Sequence, residues 1–294
     1  MIKVENLTKR YSSGKGIFDV SFEVKKGEVF GFLGPNGAGK TTTIRQLLGF
    51  TNANEGFCTI NGLDTRKDSH LIKKNLGYLP GEIAFFDDMT GHQFMDFMQS
   101  LNGKKDKTLR HQLMERFELE GDRKIRKMSK GMKQKVALIA AFMDNPDILI
   151  LDEPTSGLDP LMQKRFIEFI LEQKALGKTI LMSSHMFEEV ERTCERVAII
   201  KDGRIVAIEQ ISSLKENMQK QYIVSLKDQA SIDVLLNSEL ETKAINGHQV
   251  EITLRNNTQQ MLDILHQCKV DSFDSVHQSL EQIFISYYGE GETV

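Results

Sequence analysis

The chain has 294 residues, of which 27% are charged and 40% hydrophobic, a balance typical of a soluble globular protein with room for one large domain or two unequal ones. A formal net charge of −3, and the lack of any apolar run near the ~18 residues of a bilayer span, exclude a strongly basic nucleic-acid binder and an integral membrane protein. Cys58, Cys194 and Cys268 are too dispersed for a disulfide scaffold or a zinc site, and the start MIKVENLTKRYSSGKG lacks the apolar core of a secretion signal, so reduced thiols in a cytoplasmic protein are expected.

In chain order, FDVSFEV (18–24) and EVFGFL (28–33) are rich in β-branched and aromatic residues and read as a hairpin across a Lys-Gly turn. A glycine-rich loop and a helical pattern follow, with Ile44, Leu47 and Leu48 at helical spacing. FCTIN is a short strand, and a helix leads on to LGYLP. Residues from about 88 to 145 show helical patterns and no strand. DILILD (147–152) is a continuous apolar run, as in a strand buried on both faces of a parallel sheet. A helix over 160–176, a strand over 178–183, a helix over 186–196 and a hairpin at Asp202-Gly203 complete this region. Strands alternating with helices predict an α/β fold with a mainly parallel core sheet and a helical insertion.

The charge balance shifts near residue 211. Residues 212–294 hold six Lys and Arg against twelve Asp and Glu, a balance of −6 that leaves +3 for the rest. Such a shift marks a domain boundary. QYIVSL reads as a strand, SIDVLLN as a short helix, TKAIN and QVEITL as a hairpin, and TQQMLDILHQ as a helix. In a last helix Leu280, Ile283, Phe284 and Tyr287 form an apolar stripe. A small α+β domain is expected over 212–294, after a first domain over 1–211 whose helical subdomain spans about 88–145.

GPNGAGKT (34–41) fits G-x-x-x-x-G-K-[ST] between a strand and a helix, the context the motif needs. Gly34, Gly37 and Gly39 permit backbone conformations closed to residues with a Cβ, so successive N–H groups can turn inward. With Asn36 and Ala38 they form a phosphate cradle at the positive end of a helix. Lys40 supplies a cation for the β- and γ-phosphates, Thr41 a hydroxyl for Mg²⁺, and Thr42 a further phosphate contact. DILILDEP then delivers Asp152 and Glu153 to the carboxyl end of a parallel strand, where ligands of open α/β sheets bind. Asp152 suits Mg²⁺, and Glu153 suits the orienting and polarising of an attacking water. These two motifs together predict a P-loop NTPase.

Four further segments narrow the class: MSKGMKQK (128–135), SGLDP (156–160), SSH (183–185), and Tyr11 ahead of the first hairpin. In this order the chain closely resembles the ATP-binding subunits of ABC transporters over about residues 1–210. The resemblance implies a RecA-like P-loop NTPase core with an antiparallel β subdomain and a helical insertion. It implies that Tyr11 stacks on adenine, that Ser129 and Gly131 belong to a signature segment closing over the γ-phosphate of a second subunit, that Asp159 lies at the subunit junction, and that His185 helps to hold Glu153 and the water. Ser129 also suits the N-cap of a helix running to about Met143.

Two departures stand out. Met128, Lys130 and Met132 alter the usual LSGGQ signature to a form similar to that of ABC-2-type exporters. In GYLPGEI, Gly81 stands where the family carries Gln or Glu, and Glu82 is the candidate substitute. The resemblance implies MgATP binding and hydrolysis, a head-to-tail homodimer or heterodimer of ATPase subunits, a separate transmembrane permease as partner, no nucleic acid, and a cytoplasmic, peripheral position on the inner face of the membrane. An importer subunit and a soluble ABC ATPase of translation or DNA repair are the alternatives. The signature form and the tail weigh against the first. A single phosphate loop, with no long heptads and no metal-ligand spacing, weighs against the second.

Overall fold

Alternating burial begins at the amino terminus. β1 (Ile2–Arg10) buries Ile2, Val4 and Leu7, and pairs antiparallel with β2 (Gly16–Val24), which buries Ile17, Val20, Phe22 and Val24. β3 (Val29–Leu33) is buried at every position and enters a different sheet. The expected 18–33 hairpin is therefore not formed: a strand that is half polar seeks an exposed antiparallel sheet, whereas a wholly apolar one seeks a sheet covered on both faces. The connection is turned by the Glu28 carboxylate, which accepts from Lys25 N at 2.7 Å.

This computed structural model describes residues 1–103, 105–216, 220–254 and 258–276. The chain divides into two compact units, Met1–Ile211 and Ser212–Val294. In the first, α1 (Lys40–Leu47) follows β3, and β4 (Glu55–Ile60) and β5 (Leu63–Asp64) complete an antiparallel sheet of order β2-β1-β4-β5. After the short α2 (Ser69–Ile72) and a 3-10 turn comes β6 (Leu76–Leu79). The helical insertion holds α3 (Gly91–Leu101), α4 (Thr108–Arg116) and α5 (Lys130–Phe142). Thr90 and Gln93 start α3 with a reciprocal capping box. The chain then runs through β7 (Ile148–Asp152), α6 (Pro160–Ala175), β8 (Thr179–Ser184), α7 (Phe187–Thr193), β9 (Arg196–Lys201) and β10 (Arg204–Gln210).

The central sheet has the order β10-β9-β3-β8-β7-β6 and is parallel except for β10. Register decides where its loops emerge. Leu33 pairs with Ser184 and Asp152 with Ser183, so β3, β7 and β8 end level at one edge. Phe22 stacks on Phe30 and Phe32 at 5.5 and 5.2 Å and ties the antiparallel sheet to the central one. Each such pair is worth ~1 kcal/mol beyond the area it buries. Phe142 of α5 meets Phe169 of α6 edge-on at 4.8 Å and anchors the helical insertion to the core.

The division between the units falls at the start of α8 (Ile211–Glu216). The elements of the second unit that follow are β11 (Lys220–Leu226), α9 (Gln229–Leu236), β12 (Glu241–Asn246), β13 (Gln249–Leu254), α10 (Thr258–Leu265) and β14 (Val270–Val276). With all neighbours antiparallel in the order β12-β13-β11-β14, this is a split βαβ, or ferredoxin-like, arrangement. Val224, Leu226, Val250, Ile252 and Leu254 pack under the helices against Ile232, Leu235 and Met261. The stripe of Leu280, Ile283, Phe284 and Tyr287 lies outside the described residues. Cys58 and Cys194 are buried, and burial pushes both thiols up to about 12, whereas Cys268 is half-buried. No helix among the described residues is long and apolar enough to cross a membrane.

Candidate functional site

The loop from β3 to α1 turns on two left-handed glycines, Gly37 at φ 85 and Gly39 at φ 112. A Cβ on Gly39 would also come within 2.6 Å of the Ile17 side chain. Gly34 differs from expectation: its φ is not positive, and it is required because a Cβ there would meet the Ile200 carbonyl oxygen at 2.5 Å. Gly39 begins α1 with no side-chain cap, so the first N–H groups of the helix face the loop. Ala38 is buried and its carbonyl accepts from Gly203 N at 3.0 Å, which fixes the loop to the β9–β10 turn. Lys40 is buried too, and its Nζ donates to Gly34 O at 2.5 Å and lies 3.1 Å from Glu153 Oε1.

Across from the loop, β7 presents its two acids. Thr41 Oγ1 donates to Asp152 Oδ2 at 2.8 Å. The other Asp152 oxygen accepts the Ser183 hydroxyl from β8. A hydroxyl and a buried carboxylate converging in this way are hard oxygen donors of the kind Mg²⁺ selects. Glu153 takes a left-handed backbone, φ 51, held by its N–H donating to Ser183 O at 3.2 Å and to Ser183 Oγ at 3.1 Å. Its Oε2 lies 2.5 Å from His185 Nδ1, so the carboxylate sits between Lys40 and His185. Gln134 of α5, buried, donates to Pro154 O at 2.8 Å and pins the segment after Glu153.

Tyr11, Asn36, Gly37, Gly39, Lys40, Thr41, Thr42 and Glu153 all line one cleft of about 400 Å³, a volume suited to a small ligand. Tyr11 is 40% exposed there, and Lys9 Nζ stands 5.8 Å from its ring centre. Ser129, Gly131 and Asp159, like Ala38, Asp152 and His185, are not among the cleft's described lining residues. Ser129 caps α5 by accepting from Met132 N at 3.2 Å, and Asp159 caps α6 by accepting from Met162 N at 3.0 Å. Gly131 lies against the SGLDP segment, where a Cβ would meet Gly157 O at 2.8 Å. Gly81 does approach the acidic strand, but through backbone: a Cβ on it would stand 3.2 Å from Asp152 Oδ2. Glu82 is exposed.

Sequence reasoning passed over Ser183 and Gln134. Both lie inside quoted motifs, SSH and S-K-G-M-K-Q, but hydroxyl and amide side chains reveal their partners only in three dimensions.

The sequence matches the family model for the ABC transporter over residues 17–156. An uncharacterized ABC transporter ATP-binding protein of Methanocaldococcus jannaschii is 34% identical over 97% of this chain and 98% of its own length. The linearmycin resistance ATP-binding protein of Bacillus subtilis is 30% identical over 98% of each chain. A solved ATP-binding subunit of an ABC transporter superposes with a TM-score of 0.68 at 30% identity, covering 73% of this chain and 92% of that one. The chain belongs to the ATP-binding proteins of ABC transporters and is an ATPase of that family.

Proposed function

We propose that this ATPase binds MgATP in the Tyr11–Glu153 cleft, closes head to tail on a second ATPase subunit, and powers a separate membrane-spanning exporter from the cytoplasmic face of the membrane. The observation that carries the reading is the placing of Glu153 between Lys40 and His185 at the mouth of the phosphate loop. Tyr11 stacks on the adenine ring. The N–H groups of residues 36–42 and the Lys40 ammonium hold the phosphates, and Thr41 and Asp152 hold Mg²⁺, which neutralises phosphate charge when bound. Glu153 orients and polarises the attacking water, while His185 steadies that carboxylate and meets the γ-phosphate.

Ser129 and Gly131 act on nucleotide held by the second subunit, a copy or a sister chain, with Asp159 at the junction, a reading supported by the likeness of the 128–135 segment to the ABC signature. Residues 212–294 serve as an accessory domain. The exporter class is supported by the signature form and by the likeness, along almost the whole chain, to a protein named for linearmycin resistance.

The test is affinity purification of the tagged chain from native membranes, followed by ATPase assay of what co-elutes. A multi-spanning partner whose presence changes turnover supports the reading; ribosomes or DNA in its place would overturn it.

A further inference from the structure

Glu189 is a buried acid outside the phosphate cleft. It lies on α7, one turn after His185, and only 3% of it is exposed. One carboxyl oxygen accepts the Ser184 hydroxyl at 2.6 Å. The Thr155 hydroxyl, whose other neighbour is Met186 Sδ at 3.9 Å, faces the same carboxyl. The second oxygen, Oε1, is buried and makes no hydrogen bond among the described residues. The Ser184 hydroxyl in turn accepts from Met186 N at 2.9 Å, which shapes the turn that carries His185.

Such a group is costly. A buried carboxylate without a paired cation loses hydration that one hydroxyl hydrogen bond restores only in part. Glutamine would fill the same space without that cost. The charged groups around it are Glu153 from the loop after β7, Lys164 from α6 across a pocket of about 140 Å³, and Glu188 and Arg192 from its own helix. Arg192 is engaged with Glu188 at 3.4 Å. Burial pushes the Glu189 carboxyl up to about 7, with the Glu153 charge adding in the same direction.

The neighbours of Glu189 identify its role. Ser184 immediately precedes His185, and Thr155 follows Glu153 and Pro154. We infer that Glu189 is a positioning residue for ATP hydrolysis: its carboxylate, bonded to the Ser184 hydroxyl and facing Thr155, steadies the turn that carries His185 and so sets the contact between Glu153 and His185. The inference rests on the reading of Glu153 as the group that polarises water. The ionised form accepts the Ser184 hydroxyl at 2.6 Å and faces the Thr155 hydroxyl. Protonation removes the charge that holds the Ser184 hydroxyl and loosens the turn. Turnover should therefore fall as the pH drops through about 7.

The full chain is assayed as Glu189→Gln, with Glu189→Leu, Thr155→Val and Glu153→Gln alongside. For Glu189→Gln, kcat should drop about tenfold with KM for MgATP almost unchanged, and the wild-type inflection near pH 7 should vanish. Stability should move the opposite way. The raised pKa makes the wild type lose stability as pH rises from the ordinary carboxyl range through about 7, so the Gln variant should melt higher at pH 8, with the difference shrinking as the pH falls toward 5. Thr155→Val should lower kcat in the same sense. Normal kcat in Glu189→Gln, or a joint loss of kcat, KM and melting temperature, would overturn the inference, whether or not the Leu variant folds. Those outcomes beside an inactive Glu153→Gln would sink Glu189 alone, whereas an active Glu153→Gln would sink the underlying reading.

Discussion

Two helices of the first unit begin beside glycines, and they begin in opposite ways. α1 starts from a left-handed Gly39 with no side-chain cap, and its first lysine is folded back onto loop carbonyls and Glu153. α5 starts from Ser129, whose hydroxyl already takes a first-turn N–H. The α1 end leaves its first N–H groups without a side-chain cap, which fits the proposed phosphate site. At the α5 end one first-turn N–H is satisfied within the chain, and a Cβ on Gly131 would press on the Gly157 carbonyl. On the proposed reading, the end that holds ligand is left without a side-chain cap, whereas the end that meets a second subunit carries one of its own.

The comparison breaks most visibly at Glu153. Glu153→Gln keeps the shape but cannot act as a base, so turnover should fall at least about a hundredfold while ATP binding persists. Steady-state hydrolysis and nucleotide binding on the same preparation check this, and residual turnover near wild type would remove the α1 cleft from the chemistry. Lys40→Ala comes next: losing a buried ammonium at the loop should weaken ATP binding roughly tenfold or more, read by titration calorimetry.

The α5 side is sharpened by Ser129→Asp. Aspartate caps a helix about as well as serine, so folding should hold while the added charge repels a phosphate brought by another chain. It is a cleaner probe than Gly131→Asp, because a Cβ at 131 would press on Gly157 O at 2.8 Å. Alone, in a Glu153→Gln background, it should fail to form the ATP-dependent dimer. Mixed with differently tagged Lys40→Ala chains it should recover a weak heterodimer, since one interface then joins two intact halves. Robust dimerisation by Ser129→Asp alone would count against the shared site. The smallest expected effect is that of removing 212–294: residues 1–211 should bind ATP as the full chain does, and a loss in a folded truncation would show that the second unit reaches the nucleotide.

The parallel core was legible because β3 and β7 are continuous apolar runs and β8 holds the apolar stretch Ile180–Met182, each ending in a loop of distinctive composition. β1 was missed because Asn6, at φ 48, interrupts its alternation. β14 was missed because residues 271–275 are all exposed, which leaves VDSFDSV no pattern of burial to read. At the site, the residue types of the phosphate loop and acidic strand announced a phosphate chemistry, but the reason for Gly34 was misread. A glycine required by a neighbouring carbonyl looks the same in sequence as one required by its own φ. Glu189 gave no sequence signal at all, since a buried acid on an amphipathic helix reads as a solvated one until its neighbours are placed.

The three thiols carry a practical consequence. Thiolate is the species that reacts with maleimides, and burial holds Cys58 and Cys194 near 12, out of reach of reagent and nearly free of thiolate at neutral pH. Cys268, half-buried in the second unit and its thiol also raised by burial, is the accessible one of the set. Unmodified protein treated at pH 8 should therefore take up one dye per chain at that residue. That provides a fluorescence reporter for distances between two subunits without any engineered cysteine, and mass spectrometry of the labelled peptides would verify the selectivity.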